Sequence, residues 1–430
     1  MIQTLKNAWK IEELRRKILF TLLIILLYRL GNAIPVPYVN KEALELYFAS
    51  VQGTMLGLYN MMSGGAFSQA TIFALSIQPY INASIIIQLL CIAIPALERL
   101  SKEGGEEGRK KIASITRYAT VGIGLLMGFA YYMLMRNYQL ISAGYEKSFW
   151  TALVIILTFT SGSALIMWLG EQITEFGIGN GISIILFASI IARLPRSIIA
   201  TVQNVARGEL AWWAAVLMFL GALAIIVLIV FVNDAERRLP VQYAKRVVGR
   251  KMYGGQSTFL PMKVNMSGVM PIIFASSIGS LPATIAGLAG KSTEGTWVET
   301  WFGNASIPYA IIYFLLIIFF AYFYSTIQFN PIEVSNNLKK NGGYIPGFRP
   351  GKPTSEFIQK VLNKITLFGA IYLGIIAVVP ILISHFSDAA RLTGLSLGGT
   401  SIMIAVGVAL ETVRALEAQM LMRNYKGFLD

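Results

Sequence analysis

The chain alternates long apolar stretches with shorter polar connections. Ten of those stretches approach the ~20 residues a helix needs to cross ~30 Å of hydrocarbon. They lie at Ile18–Ile34, Thr71–Ala96, Tyr118–Met135, Phe149–Leu169, Ile182–Ile199, Ala211–Val232, Ser267–Leu288, Ile307–Phe329, Ile365–His385 and Gly398–Leu416. The seventh is the least regular, being interrupted by Pro271, Pro282 and several serines. No repeat, low-complexity tract or soluble domain separates the stretches. The expected fold is therefore an all-α polytopic membrane protein with ten transmembrane helices, forming one membrane-embedded domain over residues 1–430.

Charge orients these segments. With the N-terminus placed inside, lysine and arginine favour the inner connections about three to one, so both termini are expected to be cytoplasmic. The two longest inner connections, 233–266 and 330–364, are also the most basic. At the N-terminus, Lys6, Lys10, Arg15, Arg16 and Lys17 precede Ile18–Leu27 in the manner of a secretory signal. No small-x-small cleavage site follows in Tyr28, Arg29, Leu30, Gly31 and Asn32, so an amphipathic segment leading into a retained first helix is expected.

Composition narrows the function. Hydrophobic residues make up 55% of the chain, charged ones only 13%, and the net charge is +14. That balance excludes an ordinary soluble enzyme. One cysteine (Cys91) and one histidine (His385) exclude a disulfide framework, a thiolate metal cage and a multi-histidine site. Glu171, Glu175 and Glu411 fall near helix ends, where a carboxylate reaches water; the helix middles carry Gly, Ser, Thr, Asn, Gln and Pro instead. Ion-coupled transporters normally keep ionisable groups near the bilayer centre. The stretch GIGNGIS (Gly177–Ser183) has neither the preceding strand nor the following Gly-Lys-Ser/Thr of a phosphate-binding loop. No catalytic, cofactor or metal residues are nominated, and the chain is not expected to be an enzyme. A neutral interior suits a passage that does not select its substrate by ion pairing. A small-solute secondary transporter is the alternative, because Gly- and Pro-interrupted helices also mark transporter sites.

Four ordered motifs carry a sharper signal. They are MMSGGAFSQATIFALSIQPYINASIIIQLL (Met61–Leu90), WLGEQITEFGIGNGISII (Trp168–Ile185), VQYAKRVVGR with STFLPMKVNMSGVMP (within Val241–Pro271), and FNPIEVSNNLKKNGGYIPGFRPGKPT (Phe329–Thr354). With them the chain resembles the SecY family, the central subunits of the bacterial Sec protein-translocation channel, over nearly its whole length. One departure is Phe176, which stands where the family usually has a basic residue.

The resemblance implies two five-helix halves around a central pore. It also implies a plug over 57–68, including Gly57, Ser63, Gly64, Gly65, Phe67 and Ser68, whose glycines suit a displaceable stopper. An aliphatic pore ring is implied at Ile77, Ile81, Leu186, Ile273, Ile285 and Ile404, narrow enough to dewet and hold back hydrated ions. A lateral gate into lipid would use Gln88, Ser276, Ser277 and Thr284 as weak interhelical glue. The basic loops, through Arg250, Lys251, Lys339, Lys340 and Arg349, would dock the SecA motor and ribosomal RNA. SecE, SecG and signal-bearing preproteins complete the implied partners. The implied place is the bacterial plasma (inner) membrane.

Overall fold

A computed structural model describes residues 2–50, 59–60, 62–102, 104–145, 148–243, 246–248, 251–253, 257–288, 297–302, 306–386 and 398–426. Helix follows the apolar stretches. An amphipathic α1 (Ile2–Lys10) leads into α2 (Glu12–Gly31), and α3 (Lys41–Ser50) follows in the first connection. Next come α4 (Gln78–Ala93), α5 (Pro95–Lys102), α6 (Gly105–Asn137), α7 (Phe149–Phe176), α8 (Gly181–Ile191), α9 (Leu194–Ala206) and α10 (Trp212–Asp234). The second part holds α11 (Met270–Leu288), α12 (Trp297–Phe302), α13 (Ile307–Gln328), α14 (Pro331–Lys340), α15 (Lys352–Phe386) and α16 (Gly398–Lys426). Five helices among the described residues are long and apolar enough to cross a membrane, and a sixth span arises if α4 and α5, bent by 107°, count as one.

Two stretches break where proline removes a backbone donor. Thr71–Ala96 is expected as a single span. Instead residues 72–77 are turns, Ile77 is the N-cap, and Pro79 sits in the first turn of α4, where its missing N–H costs nothing. The stretch Ile182–Ile199 likewise divides at Ala192 and Arg193, and Pro195 opens α9.

The helices pack in two sets. α2, α4, α6, α7 and α8 form the first, and α11, α13, α15 and α16 the second; α10 lies against α16. The sets meet where α11 touches α4 and α6, and again where α8 touches α16. Small residues permit the close approaches. A Cβ on Gly162 of α7 would collide with the Ile72 carbonyl oxygen, whereas one on Gly221 of α10 would meet nothing within 4 Å. Gly162→Ala should therefore destabilise the protein by about 3 kcal/mol, the upper end for overpacking, while Gly221→Ala should leave it unharmed. Melting of the detergent-solubilised variants checks the contrast.

The all-helical expectation needs one correction. The two long basic connections fold together into an antiparallel sheet in which β1 (Glu236–Tyr243) lies between β4 (Ser257–Lys263) and β5 (Gly343–Tyr344). A separate short hairpin joins β2 (Arg246–Val248) to β3 (Lys251–Tyr253). Leu239, Val241 and Met262 alternate onto one face and are buried with Ile345 and with Ile358 and Leu362 of α15. Burial of side chains of this kind stabilises by about 1.5–3 kcal/mol each. Pro240 and Pro261 fall where only β1 and β4 pair, since β5 reaches only Gln242 and Tyr243; a strand edge tolerates the absent N–H.

Candidate pore, plug and docking surfaces

Five of the six residues expected in the ring come together. Ile77, Ile81, Leu186, Ile273 and Ile404, from the start of α4 and from α4, α8, α11 and α16, are each at most 6% exposed within one hydrophobic cluster. Ile285 lies on α11, but its side chain is outside the described residues. That cluster is larger than a ring, taking in Ile24, Phe274, Ile317 and Met403 among others, so burial alone does not single out the five. Among the described residues, no Asp, Glu, Lys, Arg or His is buried. Glu171 reaches Arg117 at 2.9 Å, while Glu175 and Glu411 are exposed.

The expected plug begins outside the described residues, at Gly57, and Tyr59–Ser68 lies within them apart from Met61. It is a hydrogen-bonded turn rather than a loose loop. The Asn60 carbonyl accepts from Gly65 N (2.8 Å) and Ser63 Oγ (3.0 Å), and Asn60 Oδ1 accepts from Ser68 N (2.9 Å). Ser63 Oγ accepts from Phe67 N (3.0 Å), and Ser68 Oγ donates to Gly65 O (3.0 Å). Gly64 and Gly65 supply φ of 69° and 93°, a region that disfavours other residues. Phe67 stacks on Tyr131 of α6 at 4.2 Å and meets Phe48 of α3 edge-on at 5.3 Å. The Tyr131 hydroxyl donates to the Phe67 carbonyl. Sequence reasoning missed Tyr131; a buried tyrosine needing a partner for its hydroxyl was the available signal.

The expected gate residues behave locally. Gln88 donates to Ser84 Oγ (3.2 Å) and Ser276 to the Ile273 carbonyl (2.9 Å), so both bonds stay within one helix instead of crossing to a neighbour. A preceding-turn acceptor lies within easy reach of such side chains. Ser277 is buried, and the Thr284 side chain lies outside the described residues.

The docking residues divide in the same way. Arg250 and the side chain of Lys251 are outside the described residues. Lys339 and Lys340 are exposed in the last turn of α14, where positive charge complements the helix dipole. Arg349 is exposed in a tip shaped by Gly347 (φ 88°) and Gly351 (φ 104°). Hydroxyls brace that tip: Thr354 Oγ1 donates to the Arg349 carbonyl and Ser335 Oγ to the Gly351 carbonyl, each at 2.8 Å. Phe348 stacks on Phe357 at 4.1 Å.

GIGNGIS is a helix-starting turn. Asn180 Oδ1 accepts from Ile182 N (3.0 Å) and Ser183 N (3.3 Å), and a Cβ on Gly181 would collide with the Gly170 carbonyl oxygen. Phe176, at the end of α7, is exposed and meets Phe20 edge-on at 6.1 Å.

Comparison with known proteins gives one answer throughout. The SecY family model matches residues 71–413. The protein translocase subunit SecY of Streptomyces coelicolor is 46% identical and that of Mycobacterium bovis 44% identical, each over the full length of both chains. In fold, the chain is similar to a solved protein conducting channel (TM-score 0.65, 17% identity, covering 94% of this chain and 92% of that one). It is similar also to canine Sec61 in a ribosome-channel complex (TM-score 0.62, 16% identity, with the same coverage). The sequence matches over its whole length and the shared helical architecture together make this chain a member of the SecY family.

Proposed function

We propose that this chain is the channel subunit of a bacterial protein translocase, passing unfolded secretory polypeptides across the plasma membrane and releasing apolar segments sideways into lipid. The observation that carries the reading is the full-length identity of 46% to a protein translocase subunit SecY. The buried aliphatic set at Ile77, Ile81, Leu186, Ile273 and Ile404, free of buried charge among the described residues, supports it physically. Such a constriction sheds water when empty and closes around any extended chain when occupied.

In this reading ten segments span the bilayer in two halves of five, with both termini cytoplasmic. Lysines and arginines concentrated in the inner loops support that orientation. Tyr59–Ser68 moves as a preformed unit, because its hydrogen bonds close on themselves. The seam where α11 meets α4 and α6 is the way into lipid. It parts readily because Gln88 and Ser276 need break no bond across it. The braced basic tip around Arg349 and the end of α14 dock a SecA-type motor and ribosomal RNA phosphates, and SecE and SecG complete the complex. A small-solute transporter is not favoured, since the full-length relatives are translocase subunits.

Reconstitution with SecE and a SecA motor tests the reading. ATP-dependent protection of a signal-bearing preprotein from external protease is expected. Protection no higher than in vesicles lacking the chain, or saturable solute uptake without any preprotein response, would overturn it.

A further inference from the structure

α2, α8 and the turn Tyr59–Ser68 converge on two buried hydroxyls. Tyr28 of α2 places its hydroxyl 2.7 Å from Ser189 Oγ on α8 and 3.5 Å from the Ser63 carbonyl of the turn. Ser189 Oγ is also 2.9 Å from the Ile185 carbonyl, and both Tyr28 and Ser189 are fully buried. Gly64 rests on the same serine: a Cβ there would lie 3.0 Å from Ser189 O and 3.2 Å from its Cα. Beside them, Arg29 donates to the Ala188 carbonyl at 3.1 Å. Leu186 precedes Ser189 by three residues and so lies one turn away on the same face of α8.

Counting protons shows what this junction can do, since each hydroxyl has one to donate. With the turn seated, Ser189 donates to Tyr28 and Tyr28 to the Ser63 carbonyl. With the turn withdrawn, Tyr28 donates to Ser189 and Ser189 to the Ile185 carbonyl. Neither arrangement strands a hydroxyl proton. At this junction withdrawal therefore gives up one long hydrogen bond and the Gly64 contact and leaves neither hydroxyl unpaired; elsewhere it also frees the Tyr131 hydroxyl from the Phe67 carbonyl and the Gln78 amide from Met62 Sδ.

We propose that Tyr28 and Ser189 form a latch that seats the plug on α8, so that widening of the constriction at Leu186 draws Ser189 from beneath Gly64 and releases the plug. The inference rests on reading Tyr59–Ser68 as a plug. The two hydroxyls are positioning groups, acting through the seat rather than on the passing chain.

The test is resting ion conductance of the reconstituted channel complex in planar bilayers. Tyr28→Phe keeps the ring stacked on Phe73 (5.8 Å, 9°) and deletes only the hydroxyl; Ser189→Ala deletes its partner. Tyr28→Phe is expected to raise resting open probability about five-fold, the scale of one lost hydrogen bond, with the melting temperature unchanged. Ser189→Ala leaves the Tyr28 bond to the Ser63 carbonyl in place and takes away the acceptor Tyr28 needs once the turn withdraws, so it should not raise the open probability. The double variant should match Tyr28→Phe, because without the tyrosine hydroxyl Ser189→Ala strands no donor. Wild-type conductance in Tyr28→Phe, a raised conductance in Ser189→Ala, or a rise in Tyr28→Phe matched by a fall in melting temperature would overturn the latch. A variant lacking residues 57–68 separates the two readings. If it leaks while Tyr28→Phe is silent, the latch alone falls; if it does not leak, the plug reading falls.

Discussion

Replacing Ile404 by Asn should raise the resting ion conductance of the closed channel roughly ten- to a hundred-fold. Ile404 is 4% exposed in the hydrophobic cluster that includes Ile77, Ile81, Leu186 and Ile273. A carboxamide left without partners in such surroundings costs about 1–3 kcal/mol. Water removes that cost, so the substitution penalises the dry state and not the wet one; each ~1.4 kcal/mol shifts the balance tenfold. A preprotein with a defective signal sequence should then be transported better, because part of the opening work is already done. Ile404→Val is the control: it stays apolar and leaves only a small cavity, costing about 0.5–1.5 kcal/mol, so it should not leak. Identical conductance in the Asn and Val variants, with both folded, would remove Ile404 from the ring.

Much of the helical scaffold was legible because a membrane helix leaves a coarse mark: a run of apolar residues with polar ends. Trp212–Asp234 is the plainest case, predicted as Ala211–Val232 and found one residue short of it at the start and two past it at the end. Departures occurred where a local backbone rule outweighed hydropathy. Pro79 and Pro195 start helices that the apolar pattern runs straight through. Hydropathy also stops at the membrane edge, so α6 and α15 begin 13 residues before Tyr118 and Ile365 on polar, helix-favouring sequence that the pattern assigned to loops. The β1–β4 ribbon was readable in principle. Leu239 and Val241 alternate with Arg238, Pro240 and Gln242, a period of two that a search for long apolar runs passes over.

The candidate site was less readable, because its parts depend on partners far away in sequence. The family resemblance nominated Ile77, Ile81, Leu186, Ile273 and Ile404, and the fold brings them from four helices into one cluster. By hydropathy alone they are indistinguishable from the exposed Leu217 or Val227 of α10. The glycines of the expected plug suggested a pliable loop. Its stiffness comes from Asn60 and Ser63 closing hydrogen bonds at short range, and from Tyr131, more than 60 residues away in sequence, receiving Phe67. For a stopper this matters. A turn that holds its own shape loses its contacts with α2, α3, α4, α6 and α8 on leaving, and does not unfold.

Reversing Arg349 to Glu should cut motor-driven preprotein transport by tenfold or more while leaving assembly of the channel intact. The side chain is exposed, and surface changes of this kind usually alter stability by less than ~0.5 kcal/mol. What holds the tip lies elsewhere: Thr354 bonds the Arg349 carbonyl, Ser335 bonds Gly351, and Phe348 stacks on Phe357. The tip should keep its shape and present the opposite charge in the same place. An arginine at the centre of a docking surface commonly contributes ~2 kcal/mol or more, and reversal adds repulsion to that loss. Arg349→Lys should fall between wild type and Glu, keeping the charge but not the planar fork that grips a carboxylate or phosphate at two points. Motor-stimulated protection of preprotein, scored beside the yield of folded channel at two salt concentrations, makes the measurement. The defect should be largest at low salt, where the lost attraction is least screened. Parallel loss of folded channel and transport would make Arg349 a structural residue, and unchanged transport would move the docking surface to another part of the two basic loops.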